Sequence, residues 1–158
     1  MAECAPSAAG GRARRGSPGW CSLRFRFDRE EIDLLRGAEL VHGAHLAHRA
    51  RPDALRAAMT LARAGHKLAQ AIPGVSVSLA DGETHALLEA LRFAAGEVRW
   101  LSEPPADAES RAASERRQVI ERAFPVLAAS RWRSFGLSRS LDSLARRLEL
   151  ALRGEQLA

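Results

Sequence analysis

One predicted helix carries the side chains that are best suited to metal chemistry in this chain. They are a carboxylate and three imidazoles at intervals of three residues: Glu39, His42, His45 and His48. Residues three apart are neighbours on a helix surface, so consecutive members could share one bound cation. Zinc accepts such a set of nitrogen and oxygen ligands. We therefore treat Glu39, His42 and His45 as candidate metal ligands, with partly buried, hydrogen-bonded histidines as the alternative.

A second group of residues combines cations with aromatic rings in the C-terminal third of the chain. Arginines contact phosphate oxygens and aromatic rings stack on bases in many nucleic-acid-binding surfaces. The candidate residues of this kind are Arg131, Trp132, Arg133, Arg139, Arg146 and Arg147. No recognised DNA- or RNA-binding motif accompanies them. The alternative is that Trp132 and the nearby Phe135 pack into the core beneath solvated arginines.

Two further aromatic residues lie at the edge of an apolar stripe on a predicted helix. They are Phe93 and Trp100, which are seven positions apart and so lie on the same side of that helix. Aromatic side chains are enriched at the centres of protein interfaces. We expect these two residues either to cover a neighbouring element or to form an interface through which the chain self-associates.

The sequence lacks the motifs that mark the common catalytic chemistries. It contains no Walker-type nucleotide loop, no dinucleotide fingerprint, no G-x-S-x-G elbow and no C-x-x-C pair. An enzyme built from this chain would have to rely on histidines and carboxylates alone. We therefore expect a protein that is not an enzyme and that needs no cofactor.

Hydropathy and cysteine content restrict where the protein acts. No run approaches the ~20 apolar residues that a helix needs to span a bilayer, so we expect no membrane association. The two cysteines, Cys4 and Cys21, do not make a disulfide scaffold or a zinc finger. These features predict a cytoplasmic protein with free thiols.

The charges are distributed unevenly along the chain, whose formal net charge is +5. Residues 1–27 hold five arginines and one glutamate, and residues 110–158 hold ten arginines and five acidic groups. Residues 28–109 between them hold nine basic and thirteen acidic groups. Because Lys67 is the only lysine, the high isoelectric point reflects arginine rather than a large charge. The asymmetry suits self-association and an anionic partner about equally well.

The chain divides into a tail and one domain. Residues 1–20 are rich in Ala, Gly, Ser, Pro and Arg without hydrophobic periodicity, which predicts a disordered basic tail. The predicted domain comprises residues 21–158. Apolar periodicity, with proline and glycine stops, predicts helices over residues 29–47, 53–72, 80–101 and 108–124.

Two segments 52 residues apart resemble each other. Residues 23–27 and 75–79 both alternate apolar and polar side chains, as short half-buried strands do, and both precede a helix-start signal. We predict two strand–helix–helix pseudo-repeats, over about 23–73 and 75–125, followed by a C-terminal helix over 138–153. The predicted fold class is therefore mainly α, with the two strands paired as a ribbon.

These observations favour a non-catalytic helical module that acts through protein–protein contact or assembly. Its expected partner is another protein or a second copy of the chain, as a homo-oligomer. One alternative is a nucleic-acid-associated protein that uses the arginine-rich tail and the C-terminal third. A second alternative is a small metal-binding helical protein that uses the histidine row.

Overall fold

The structure is a computed structural model that describes four stretches of the chain: residues 22–49, 51–103, 110–130 and 132–154. Within these stretches 77% of the residues are helical, in six helices, and one two-stranded antiparallel sheet is present. The prediction of a mainly α protein with a paired ribbon is confirmed. The predicted disordered tail, residues 1–20, lies outside the described residues.

The two strands form the ribbon that the alternating patterns predict. β1 (Ser22–Arg26) pairs antiparallel with β2 (Ser76–Ala80), and Phe25 lies opposite Val77. Phe25 and Leu79 are buried, whereas the residues between the apolar positions are exposed, because successive side chains point to opposite faces of a strand. Each strand provides hydrogen-bond partners for backbone N–H and C=O groups of the other strand, which would otherwise be unpaired.

The first helix starts directly after β1 on a reciprocal cap. α1 spans Arg29–Ala47, as predicted. The Glu31 N–H donates to the Asp28 carboxylate at 2.8 Å, and the Asp28 N–H donates to the Glu31 carboxylate at 3.0 Å. This capping box satisfies two donors at the helix start and thereby fixes the turn from strand into helix.

The third helix starts in a related way, after β2. α3 spans Asp81–Ser102, and its N-cap Ala80 has no side-chain acceptor, so only the return half of the box forms. The Ala80 N–H donates to the Glu83 carboxylate at 2.9 Å, and Lys67 Nζ lies 2.6 Å from the same carboxylate. Lys67 also donates to the Ser78 carbonyl at 3.2 Å, so it joins the second helix to β2 and to the start of α3.

The remaining helices are α2 (Pro52–Ala69), α4 (Arg111–Ala123), α5 (Val126–Ala129) and α6 (Arg133–Leu152). Helix α6 begins five residues before the predicted start at residue 138. The predicted start was wrong because two inward-facing positions of the first turns, Ser134 and Ser138, are polar and break the apolar pattern. Both serines are nevertheless buried, and the Ser138 hydroxyl donates to the Phe135 carbonyl at 3.1 Å.

Helix α3 is the centre of the packing. It contacts α1, α2, α4 and α6, and its contact with α6 is the most extensive. Its side chains at Leu87, Leu91, Ala94 and Val98 are completely buried. Each fully buried leucine contributes roughly 1.5–3 kcal/mol relative to an exposed one, so α3 supplies much of the hydrophobic stabilisation.

The predicted pseudo-repeat is not confirmed by the architecture and stays a prediction. Both units begin with a strand that leads directly into a long helix. Their second helices differ, because α2 has 18 residues whereas α4 has 13 and is followed by the short α5.

Replacing Gly37 with alanine is expected to destabilise the fold. A Cβ atom at this position in α1 would lie 2.3 Å from the ring of Phe124, which is itself buried. Overpacking a core of this kind costs about 1–3 kcal/mol. That cost exceeds the ~0.5–1 kcal/mol that alanine gains over glycine in a helix. Urea titration gives the free energy of unfolding of both proteins.

Gly96→Ala is the matched control, because nothing lies within 4 Å of a Cβ atom at that exposed position of α3. It is expected to raise the free energy of unfolding by up to about 1 kcal/mol. A Gly37→Ala protein as stable as its Gly96→Ala counterpart would contradict the close approach of α1 to Phe124.

Candidate functional site

The exposed side of α6 brings three of the six predicted nucleic-acid-binding residues together with Phe135. Trp132 is 87% exposed and Phe135 is 62% exposed, and Arg139 and Arg146 are exposed on the same helix. At 3.6 residues per turn these four side chains fall within about 60° of helix surface. We call these four residues the α6 ridge. The alternative that Trp132 and Phe135 pack into the core is wrong.

The charges on this side of α6 are unbalanced in favour of arginine. Arg133, Arg139 and Arg146 form no ion pair with any residue that the structure describes. The carboxylate of the neighbouring Asp142 lies 2.7 Å from the Arg99 guanidinium, which balances its negative charge. Glu149 is paired as well, with Arg92 at 2.9 Å and Arg153 at 2.7 Å, and these arginines lower its pKa. The charges left without an internal partner on this side are therefore positive.

Three of the six predicted residues, Arg131, Arg133 and Arg147, do not belong to the α6 ridge. Arg147 is turned toward α1 and β1, where it pairs with the Glu31 carboxylate and donates to the Arg26 carbonyl at 2.6 Å. Its guanidinium also lies 5.5 Å from the centre of the Phe27 ring. Arg147 therefore has a structural role, because it joins α6 to the junction between β1 and α1. Arg131 lies outside the described residues.

Arg133 is exposed but lies to one side of the α6 ridge. At about 100° per residue it is roughly a quarter turn away from Trp132. It adds positive charge to the start of α6 without extending the ridge along the helix.

Open grooves flank the α6 ridge. The larger, about 500 Å³, separates α6 from the start of α1, and its walls carry both Glu30 and Arg139. The second runs toward α3 and includes the paired groups Arg92, Asp142 and Glu149. Both grooves carry positive and negative side chains, whereas the charged side chains of the ridge between them are all positive.

The histidine row packs against an aromatic ring. The centre of the His42 ring lies 5.0 Å from that of Phe93, and the His45 ring centre lies 4.4 Å from it. His42 Nδ1 is buried and has no hydrogen-bond partner among the described residues. The expectation of partly buried histidines is confirmed, whereas the expected hydrogen bond at this atom is absent from the part of the chain that the structure describes.

Glu39 lies on a different side of α1 from these rings. A Cβ atom added at Gly65 of α2 would lie 2.5 Å from the Glu39 side chain, so the carboxyl group sits against the α2 backbone. Burial raises the pKa of Glu39 above its ordinary value of 4.5. Across the described residues, no group of three or more His, Cys, Asp and Glu side chains is arranged to hold a metal ion. The metal site therefore remains a hypothesis from sequence.

The predicted interface aromatics are both covered within the chain. Phe93 is covered by the two histidines, and Trp100 is covered by Arg116, whose guanidinium lies 4.0 Å from the ring centre. Arg116 is held by two hydrogen bonds of 2.6 Å to Glu97, which raise its pKa. The geometry corresponds to the first of the two predicted outcomes, in which each ring covers a neighbouring element. An interface at Phe93 and Trp100 stays a prediction.

A second exposed surface was missed by the sequence analysis. On α2, Leu55 is 64% exposed and Met59 is 54% exposed. Ala62 and Ala69 are exposed on the same side, and at 100° per residue all four fall within about 80°. We call these four residues the α2 seam. Helix α2 has two apolar stripes, one buried and one exposed. A hydropathy pattern that is interpreted as one apolar face per helix indicates only the buried stripe.

Comparison with known proteins adds no assignment. No protein-family model, curated protein or solved structure matches the chain. Among the described residues, no helix is both long and apolar enough to cross a membrane. The α2 seam and the α6 ridge are therefore the features of the structure that bear on function.

A chelator is expected to leave the thermal unfolding midpoint of the purified protein unchanged at pH 7.5. The reason is that the Glu39 carboxyl group lies against α2, whereas the His42 and His45 rings lie against Phe93. Melting curves with and without EDTA provide the measurement. A drop in Tm on adding EDTA, abolished in His42→Ala, would show that the row holds a metal.

The fold is expected to lose stability in mild acid because of His42. Burial lowers the pKa of His42 below 6.5, with Glu89 opposing the effect and His45 and Arg49 reinforcing it. The unfolded chain therefore takes up a proton first, near pH 6.5. The stabilisation from neutral His42 is present above that pH and is lost as the pH falls through the lowered pKa. Urea titrations at pH 7.5 and 5.0 measure the loss.

His42→Phe supplies the control for this pH dependence, since it keeps a ring against Phe93 and removes the titrating group. The raised pKa of Glu39 acts in the opposite sense, because it favours the fold below pH 4.5 and that gain is lost as the pH rises. The comparison of wild type with His42→Phe isolates the histidine. An equal loss of stability in both proteins would rule out His42 as the cause.

Proposed function

We propose that the chain is a non-catalytic helical assembly module that self-associates through the α2 seam. The observation that carries this proposal is the exposure of Leu55 and Met59, one turn apart on a helix whose other side is packed in the core. Neighbouring exposed apolar side chains of this size mark interaction sites in many proteins. The four seam residues carry no charge, and His66 is the one ionisable side chain exposed within the same arc of α2. This composition suits a protein partner better than a charged one.

The shape of the seam favours a second copy of the chain as the partner. Its large residues, Leu55 and Met59, lie toward the N-terminal end of α2, and its small residues, Ala62 and Ala69, lie toward the C-terminal end. Antiparallel packing of two α2 helices about a two-fold axis near Ala62 places Leu55 opposite Ala69 of the second copy and Met59 near His66 of the second copy. Such an interface is self-complementary, as an isologous dimer requires, and the alanines allow close packing.

The helix dipoles favour antiparallel packing. In an antiparallel pair the positive N-terminal end of one α2 lies beside the negative C-terminal end of the other. Arg56 and Arg63 are exposed beside the seam and fit the polar rim of an interface.

Leu55→Glu combined with Met59→Glu is expected to weaken self-association by tenfold or more. The double substitution places four carboxylates in the centre of the dimer, where burying unpaired charge is costly. Sedimentation equilibrium over a concentration range from about 1 to 100 µM, which covers affinities of roughly −8 to −5 kcal/mol, measures the effect.

Leu40→Glu is the matched control, because Leu40 is 56% exposed and lies on α1. It is expected to leave the association constant unchanged. A wild-type protein that stays monomeric throughout this range would overturn self-association. Equal weakening by Leu40→Glu and by the double variant would overturn the assignment of the interface to α2.

A further inference from the structure

The α6 ridge has no role in the proposed assembly, and its chemistry differs from that of the α2 seam. The seam is aliphatic and uncharged, whereas the ridge consists of two aromatic rings and two arginines. A tryptophan that is 87% exposed is unusual, since this residue is on average among the most buried. The chemistry of the ridge therefore suits a ligand that has flat aromatic faces and negative charge.

We propose that the α6 ridge binds single-stranded nucleic acid. In this arrangement Trp132 and Phe135 stack on bases, and Arg139 and Arg146 contact the phosphates that follow along the strand. Base–aromatic stacking and a track of cations are the two components shared by surfaces that bind single strands without sequence preference.

The spacing along α6 suits a linear polyanion. Trp132, Arg139 and Arg146 are seven residues apart in succession. At 1.5 Å per residue their Cα atoms follow one another at about 10 Å, so the ridge is about 21 Å long. Phosphates on one strand of a duplex recur about every 3.4 Å along the helix axis, and those of an extended single strand lie farther apart, so the ridge spans a few nucleotides. Arginine adds bidentate geometry to each phosphate contact.

The charge pairing makes the ridge selective for an anion. The acids nearest to it along α6, Asp142 and Glu149, are occupied by arginines from α3 and from the end of α6. Arg139 and Arg146 have no such partner among the described residues. Binding phosphates there requires no internal ion pair to be broken.

The exposed rings favour a single strand over a duplex. In a duplex the base faces are stacked on each other and are not available to Trp132 or Phe135. A duplex could reach only the arginines, through its backbone, and would gain nothing from the rings. An acidic peptide could satisfy the arginines but offers no series of flat faces for the two rings. The combination of both components therefore points to unpaired nucleotides.

The test is binding of fluorescently labelled 20-nucleotide single-stranded DNA and RNA, measured by anisotropy at ~50 mM salt, where electrostatic attraction is strongest. A duplex of the same sequence and a polyglutamate peptide are measured in parallel. We expect the single-stranded DNA, the single-stranded RNA or each of them to bind more tightly than the duplex and more tightly than polyglutamate. We also expect binding to quench tryptophan fluorescence, and this quenching to be lost in Trp132→Ala.

Two double variants separate stacking from charge. Trp132→Ala with Phe135→Ala is expected to reduce affinity about tenfold or more at every salt concentration, because it removes two stacking faces. Arg139→Gln with Arg146→Gln is expected to flatten the dependence of log K on log salt by about 1.4, since each contact to a single strand contributes about 0.7.

The control is Arg36→Gln with Arg122→Gln, which removes the same charge from exposed positions on α1 and α4, away from both the α6 ridge and the α2 seam. We expect this control to bind like wild type. No binding of either single strand at ~50 mM salt would overturn the proposal. So would equal binding of the duplex or of polyglutamate, or an aromatic double variant that binds like wild type. These outcomes are independent of the sedimentation results, so this proposal and the assembly proposal succeed or fail separately.

Discussion

The structure depends on the burial of one wide face of α3. Its large and small apolar residues, from Leu87 to Leu101, are shared among the helices that surround it, and α6 has the longest contact. Because α3 fills the centre, each surrounding helix buries only part of its circumference. Apolar residues beyond that part, such as Leu55 and Trp132, have no internal surface left to cover them. The two exposed surfaces are thus a consequence of how the core is filled.

Two groups of arginines differ in their partners. Arg147, Arg116, Arg92 and Arg99 each join two elements through a carboxylate, and Arg147 connects the most distant parts of the sequence. Surface ion pairs contribute only about 0–1 kcal/mol each, so their main effect is on register and orientation. Arg139 and Arg146 make no such connection within the described residues. The number of arginines in the chain therefore overstates how much positive charge is free for a ligand, and the α6 ridge is one place where unpaired positive charge remains.

Sequence patterns predicted the elements better than the surfaces. The bounds of α1 and the pairing of the strands followed from alternation, a cap and apolar periodicity, all of which act locally. The start of α6 was missed because Ser134 and Ser138 are buried polar residues, which no hydrophobic pattern marks. The opposite roles of Arg146 and Arg147 were also out of reach, because they depend on where Glu31, more than a hundred residues away, lies in the fold.

The two proposed activities are physically compatible because they lie on different helices. Helix α2 packs on α1 and α3 through the side opposite the seam, and the α6 ridge belongs to the helix that packs most extensively on α3. A dimer built on α2 carries two ridges, and a strand long enough to reach both would gain from the second contact at high effective concentration. Each ridge alone offers two rings and two arginines, which supports modest affinity. The proposed assembly would therefore supply what a single ridge lacks, namely a second copy of the same contact held at a fixed distance.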